Sequence, residues 1–332
     1  MNNAAVRPVA IAGTGSYVPE KVLTNEDLQR IVDTSDQWIV ERTGIKRRRI
    51  AAENEATSDM AAAAARAALE NAGVAAADLD FIIVATFTPD MFFPSTACFV
   101  QKALGAAKAT CFDVSAACSG FLYCLDIARN AIASGAAENV LVIGADKVSG
   151  VIDWTDRNTC VLFGDGAGAA VLRPATDGRG EILSVYSGSN GALDDILNVP
   201  AGGSRCPLTA ENVDSRLNTM KMAGREVYRH AVQTMISAAK HAIDRAGLTL
   251  DDIACFIPHQ ANLRIIETIA HKLDVPMDRF FVNLQEYGNT SAAAVAIALD
   301  EAQRAGRVKP GEHLLMVVFG GGLTWASAVV RW

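Results

Sequence analysis

The chain has 332 residues, half of them hydrophobic and a fifth charged, which excludes a disordered protein and allows one large or two medium domains with a substantial core. A net charge of −7 argues against nucleic-acid binding by the whole surface, and no apolar run approaches the length of a membrane span. The opening MNNAAVRPVAIAG lacks a signal peptide's apolar stretch, and the seven cysteines (98, 111, 118, 124, 160, 206, 255) form no CxxC or Cys/His cluster, so a reduced, cytoplasmic chain without zinc or a disulfide framework is expected.

In chain order, Val9 to Gly13 reads as a buried strand. Ser35 caps a short helix, DQWIVERTG, that Gly44 stops. The basic run Lys46-Arg47-Arg48-Arg49 reads as a solvated face or a site for phosphates or an acidic partner. Ser58 opens an alanine-rich helix ending at Gly73, and Asp80 to Thr86 is an almost unbroken apolar strand, as expected when both faces are covered. A strand from Thr110 to Val114 then breaks into Ser115-Ala116-Ala117 and presents Cys118. Ser119-Gly120 opens the apolar helical pattern Phe121, Leu122, Leu125, Ile127, Ala128, Ile132, which Gly135 ends. Residues 140–144 form a further strand, and 160–172 (CVLFGDGAGAAVL) reads as two strands around a glycine turn. Its GDGAGA lacks the following helix that a dinucleotide loop needs.

Cys118 is thereby placed on a tight strand-to-helix turn, at a helix terminus whose unpaired N–H groups and dipole favour a thiolate. The competing reading is a small buried core cysteine. The second half of the chain echoes the first: a long helix from Met222 to Ala246, a strand 254–259, a helix 261–273, a strand 280–285 (FFVNLQ), a helix 288–306 and a strand 313–322. The interval from Thr86 to Cys118 is close to that from His259 to Asn289. Two similar α/β halves about a pseudo-twofold axis, 1–176 and 177–332, follow. Their loops would bring Cys118, His259 and Asn289 to a common pocket.

A Cys with a distant His and Asn is a nucleophile set with two possible chemistries. In a hydrolase, His259 is the base toward Cys118 and Asn289 orients the imidazole. In a carbon–carbon condensing enzyme, Cys118 carries an acyl group while His259 and Asn289 both donate to a thioester carbonyl. FGGGLTW (319–325) offers the amide of Gly321, which with that of Cys118 would form an oxyanion hole.

TSDQWIVERTGI, DVSAACSGF, FGDGAGAAVL, PHQANLRII, GNTSAA and FGGGLTW together closely resemble the β-ketoacyl-acyl-carrier-protein synthase III family, the initiating condensing enzymes of type II fatty-acid synthesis, from about Val9 to Trp332. The resemblance implies a thiolase-like five-layer αβαβα fold, a homodimer, and acyl-CoA and malonyl-acyl-carrier protein as substrates, with no metal or redox cofactor. It makes Cys118 the acylated nucleophile and His259 and Asn289 the decarboxylation donors. Trp38 matches the residue that stacks on adenine, with Arg157 opposite. Arg42, Thr43, Tyr228, Ala261 and Asn262 match the coenzyme A tunnel, and Arg264, Arg229 and Lys272 the basic patch for the carrier protein. Phe93 matches the base of the acyl pocket, contributed across the dimer interface. Residues 201–219 are longer than usual, Tyr228 stands where an unsubstituted ring is common, and Lys46 where Arg is usual. The alternative is a secondary-metabolism starter synthase with a different acyl donor.

Overall fold

The computed structural model describes residues 7–332; the opening residues 1–6, part of the segment read for a signal peptide, lie outside the description. The chain runs β1 (Val9–Tyr17), β2 (Lys21–Thr24), α1 (Asn25–Leu28), α2 (Asp36–Thr43), β3 (Arg47–Ile50), α3 (Thr57–Ala72), β4 (Phe81–Ala85), α4 (Thr96–Leu104), β5 (Thr110–Val114), α5 (Gly120–Ala133), β6 (Val140–Asp146) and β7 (Gly166–Pro174). It continues with β8 (Glu181–Ser189), β9 (Leu197–Asn198), β10 (Lys221–Met222), α6 (Gly224–Arg245), β11 (Ile253–Pro258), α7 (Leu263–Leu273), α8 (Leu284–Tyr287), α9 (Ala293–Arg304), β12 (His313–Gly320) and β13 (Thr324–Arg331).

Strands that are apolar on both faces need cover on both, and alternation decides which layer each side chain joins. Ile82 and Val84 of β4 pack outward with α3 and α4. Ile83 and Ala85 pack inward with α5 and α9. The central helices also receive Cys255 and Ile257 of β11, whereas Phe256 turns to the outer helices α6 and α7. The order is thus α3/α4, sheet, α5/α9, sheet, α6/α7: the five-layer αβαβα fold.

Strand order follows β11-β12-β13-β8-β1-β7-β6-β4-β5, the two sheets meeting at a short antiparallel join, Ala10 against Glu181. From β1 outward the pairings are antiparallel, antiparallel, parallel, parallel. From β8 outward they begin the same way through β13, β12 and β11. The fifth position there is a single parallel bridge, Phe256 to Phe280. The strand expected at 280–285 is therefore not formed. Phe281 donates its amide to Phe256 at 2.8 Å, but Gln260 then takes the amide of Asn283 (3.0 Å), Glu301 takes its side chain (2.9 Å), and the chain turns into α8.

Two other expectations are corrected. Of the two strands read in 160–172, only β7 forms; Cys160–Phe163 is a turn whose carbonyls are spent on tertiary partners, Arg48 donating to Val161 and Asn289 to Leu162. The basic run is not a solvated face throughout. Arg48 is fully buried, donating to Asn25 at 2.6 Å, because alternation along β3 turns it inward, and burial pulls its guanidinium down to about 10. Lys46 and Arg47 stay exposed, Arg47 pairing with Glu286 at 3.1 Å.

The seam between β6 and the entrance of α9 depends on Gly144, where an added Cβ would lie 2.2 Å from the carbonyl oxygen of Ala292. Gly144→Ala has to push the helix entrance off the sheet. Chemical denaturation is expected to show a loss of roughly 1–3 kcal/mol, in place of the slight gain that Gly→Ala gives at an open, unstrained site by restricting the unfolded chain.

Candidate active site

Loops following β5, β11 and the Phe280 bridge converge as the echo between the halves predicts. Cys118, His259 and Asn289 line one cavity of about 540 Å³, together with Gly321, Trp38, Arg42, Thr43, Arg157, Tyr228, Ala261 and Asn262. Phe93, Arg229, Arg264 and Lys272 stand outside it.

Cys118 is 7% exposed, on a single helical turn, Ala117–Ser119, that runs straight into α5. Ala117 before it holds φ at 45°, a left-handed conformation costly for alanine, which marks the tight turn out of β5. The end of β12 presses against this turn: a Cβ on Gly320 would lie 2.8 Å from the Cys118 amide nitrogen. The Thr324 hydroxyl ties the two together, donating to Ala116 (3.0 Å) and Gly321 (3.2 Å) carbonyls.

Burial pushes the Cys118 thiol up to about 12, the nearby Asp146 carboxylate adds to the rise, and the polar side chains of Ser291 and Asn289 pull against it. The thiolate expected from the helix terminus alone is therefore not the resting form. Water exclusion outweighs the terminal dipole until a substrate supplies a reason to ionise.

His259 follows β11, its amide donating to Val317 at 2.8 Å; the ring is buried and Nδ1 has no partner among the described residues. Desolvation lowers its pKa to about 4, so the imidazole is neutral at working pH. The Asn289 side-chain oxygen accepts the Ser291 amide at 2.9 Å in a local turn, which leaves the amide N–H₂ for the cavity. Asn289 is not the cap of α9: that position is Ala292, which makes no side-chain cap bond. No hydrogen bond joins Asn289 to His259 among the described residues.

At the cavity mouth the guanidiniums of Arg42 and Arg157 lie 4.5 and 5.1 Å from the Trp38 ring centroid. Asn262 caps α7 through the Arg264 amide and donates to the Arg42 carbonyl at 3.2 Å, joining α7 to α2. Tyr228 bonds Thr268 at 2.6 Å. Arg229, Arg264 and Lys272 are exposed, and none is in an ion pair among the described residues. Phe93 is 84% exposed beside exposed Phe92 and does not reach the cavity of its own chain. Residues 201–219 fold back over the 151–155 loop, Arg216 pairing with Asp153 at 2.6 Å and Met220 donating to Val151 at 2.8 Å.

Sequence reading missed much of the apolar lining: Phe87, Leu197, Met220, Met222, Met235 and Phe319. These come from segments read as loops or as generic core. Ser291 and Asp146 were missed too; a charged residue closing the apolar run VLVIGAD was the available signal.

Five layers around a buried cysteine at a central helix terminus define a thiolase-like condensing enzyme. Sequence profiles described as 3-Oxoacyl-[acyl-carrier-protein (ACP)] synthase III and its C-terminal region match residues 112–191 and 243–332. A Beta-ketoacyl-[acyl-carrier-protein] synthase III of Caldanaerobacter subterraneus subsp. tengcongensis is 56% identical over 97% of both chains. The solved 3-oxoacyl-[acyl-carrier-protein] synthase III of Aquifex aeolicus is 48% identical, covering 98% of this chain and 100% of its own, with a TM-score of 0.91. The priming β-ketosynthase of the R1128 polyketide pathway is 39% identical, with the same TM-score over 99% and 98%. The chain belongs to the β-ketoacyl-[acyl-carrier-protein] synthase III family and is a condensing acyltransferase.

Because burial depresses His259, NMR of the labelled ring is expected to show no titration between about pH 5 and 8; a midpoint near the ordinary histidine value contradicts this. The unfolded chain takes up that proton first, so this contribution to stability is present above about pH 6.5 and fades as pH falls toward 4.

Proposed function

We propose that the chain catalyses the decarboxylative condensation that initiates type II fatty-acid synthesis, joining a short acyl primer carried by coenzyme A, acetyl in the first instance, to malonyl-acyl-carrier protein. One observation carries the choice over a hydrolase: Asn289 bonds Ser291 and faces Cys118, not His259, so His259 and Asn289 are two separate donors and not an oriented base. The relatives above, at up to 56% identity over nearly the whole chain, support the fatty-acid assignment over a secondary-metabolism starter enzyme.

Cys118 attacks the primer thioester, and the amides of Cys118 and Gly321 hold the developing oxyanion. The thiol proton leaves with the departing coenzyme A sulphur. Malonyl-acyl-carrier protein then enters; neutral His259 and the Asn289 amide donate to its thioester carbonyl, stabilising the enolate formed as CO₂ departs. The enolate carbon attacks the Cys118 thioester, giving 3-oxoacyl-acyl-carrier protein and the Cys118 thiolate, which takes up a proton from solvent to return to the thiol. The cycle needs no metal or redox cofactor.

Trp38 and Arg157 take the adenine between them, with Arg42, Thr43, Tyr228, Ala261 and Asn262 along the pantetheine path; the base occupies the place Arg157 now has on the indole. Exposed Arg264, Arg229 and Lys272 flank the mouth on α6 and α7, suited to an acidic carrier protein. The chain pairs as a homodimer in which exposed Phe93 enters the partner's acyl pocket. Halves 1–176 and 177–332 act as the two units, the first supplying Cys118 and the second both donors. Seven unpaired thiols suit the reducing cytoplasm, and no helix among the described residues is long and apolar enough to cross a membrane.

His259→Ala and Asn289→Ala are expected to cut CO₂ release from malonyl-acyl-carrier protein by about 100-fold or more while acylation of Cys118 falls far less; equal losses at both steps refute the roles. Trp38→Ala is expected to raise KM for acyl-CoA about tenfold with kcat nearly unchanged, in steady-state kinetics.

A further inference from the structure

Asp146 ends β6 fully buried, and the proposed cycle leaves it unused. Its Oδ1 accepts four hydrogen bonds from one loop: Thr86 Oγ1 (2.9 Å), the Phe87 amide (2.9 Å), the Thr88 amide (3.2 Å) and Thr88 Oγ1 (2.9 Å). Its Oδ2 accepts the Ala292 amide at 3.2 Å, and the Ser291 hydroxyl faces it. No cation pairs with it among the described residues. Lys147, next in sequence, turns its Nζ to the Ala52, Glu53 and Glu55 carbonyls. A buried carboxylate held only by neutral dipoles is costly, and a neutral amide or hydroxyl would tie two loops together more cheaply.

The two oxygens hold opposite walls of the cavity. Oδ1 fixes the loop that presents Phe87; Oδ2 fixes the entrance of α9, where Asn289 and Ser291 line the cavity. Ser291 sits between them at φ 54°, a strained left-handed conformation for serine, with its amide on Asn289 and its hydroxyl lacking any close partner of its own. That hydroxyl nonetheless pulls both the Cys118 thiol and the Asp146 carboxyl down.

We propose that Asp146 is a positioning residue that holds the Asn289–Ala292 turn and the Phe87 wall in register with the Cys118 sulphur, so that decarboxylation of the extender depends on it more than acylation by the primer does. This rests on the reaction proposed above. In the proposed cycle Asn289 donates at the malonyl carbonyl, its pull on the Cys118 thiol being minor beside burial, and misplacing a donor by an ångström costs about 100-fold. The Asp146 carboxyl also adds to the rise of the Cys118 thiol, behind burial as the larger cause. The groups facing the sulphur are Asp146 from β6, His259 beyond β11, and Arg42 and Arg157 at the mouth; Asp113 of β5 is turned to the Thr96 and Ala97 amides. His259 stays neutral above about pH 4, and burial holds the Asp146 carboxyl above its ordinary value against the hydrogen bonds of its loops.

The test compares wild type, Asp146→Asn and Ser291→Ala. Asparagine keeps an acceptor for the Thr86–Thr88 loop and sets an N–H₂ against the Ala292 amide, which releases the α9 side alone. Three quantities are measured: CO₂ release from malonyl-acyl-carrier protein, acylation of Cys118 by acetyl-CoA, and iodoacetamide alkylation of the Cys118 peptide against pH. Asp146→Asn is expected to lose about 100-fold in CO₂ release and less than about tenfold in acylation, with its alkylation curve moved to lower pH. Ser291→Ala is expected to lose less and to move the curve to higher pH, since its hydroxyl favours the thiolate. Equal losses at the two steps, or an Asp146→Asn curve superimposed on that of wild type, overturn the proposal. If Asp146→Asn does not fold, an unmoved Ser291→Ala curve overturns it. If wild type neither acylates nor releases CO₂, the reaction reading itself fails; if wild type does both and Asp146→Asn loses both equally, that reading stands and the role of Asp146 falls.

Discussion

A sulphur that must attack a thioester has to be kept dry, and dryness is what makes it hard to ionise. That conflict at Cys118 governs the structure around it. Burial raises the thiol to about 12 and drops His259 to about 4, so both rest neutral. Neutral groups in a dry cavity store no charge to be solvated before substrate arrives. They do their work on charge that develops in the reaction, where a low dielectric strengthens every preplaced donor. A central helix pointing its terminus at the sulphur, and a glycine strand end pressed on the same turn, supply those donors without exposing the site to water.

Two sheets of matching pairing order carry different cargo at matching positions. Where β4 leads to Phe87, an apolar wall, β11 leads to His259. Where β5 leads to Cys118, the Phe280 bridge leads to Asn289. Where β6 ends on Asp146, β12 ends on Gly320, beside the nucleophile's amide. Duplicated architecture thus gives an asymmetric site: under the proposed cycle the nucleophile, with the buried Asp146 carboxyl, comes from one half and both donors from the other. The fifth strand of the second sheet has shrunk to one bridge because Gln260 and Glu301 claim the chain after Phe281, and the resulting turn delivers Asn289.

Much of this was legible in the sequence, for definite reasons. Apolar strands such as DFIIVAT, the glycine stops after helices, and the order of elements in the two halves are local signals that tertiary structure respects. They placed Cys118, His259 and Asn289 at equivalent strand ends before any coordinates. Alternation misled where function reshapes the chain: CVLF and FFVNLQ have strand composition but serve as turns that hold Asn289. Arg48 shows the limit of charge runs, since which member of KRRR faces inward depends on strand register. The sequence shows Asp146 only as a charge closing the apolar run VLVIGAD; its role is not legible there, because the ligands of its carboxylate come from loops far apart in the chain. The ionisation of Cys118 was misjudged for a related reason: a helix terminus is visible in sequence, whereas complete desolvation is a property of the assembled layers.

The central claim is that Cys118 carries the acyl group between two substrates. Intact mass of wild-type protein after acetyl-CoA, followed in time after malonyl-acyl-carrier protein is added, tests it most directly. The account predicts an acetyl adduct on Cys118 that persists without malonyl donor and disappears as 3-oxoacyl-acyl-carrier protein forms. An adduct lost as free acetate before any malonyl donor is present, or ketoacyl product made without an adduct, would contradict it.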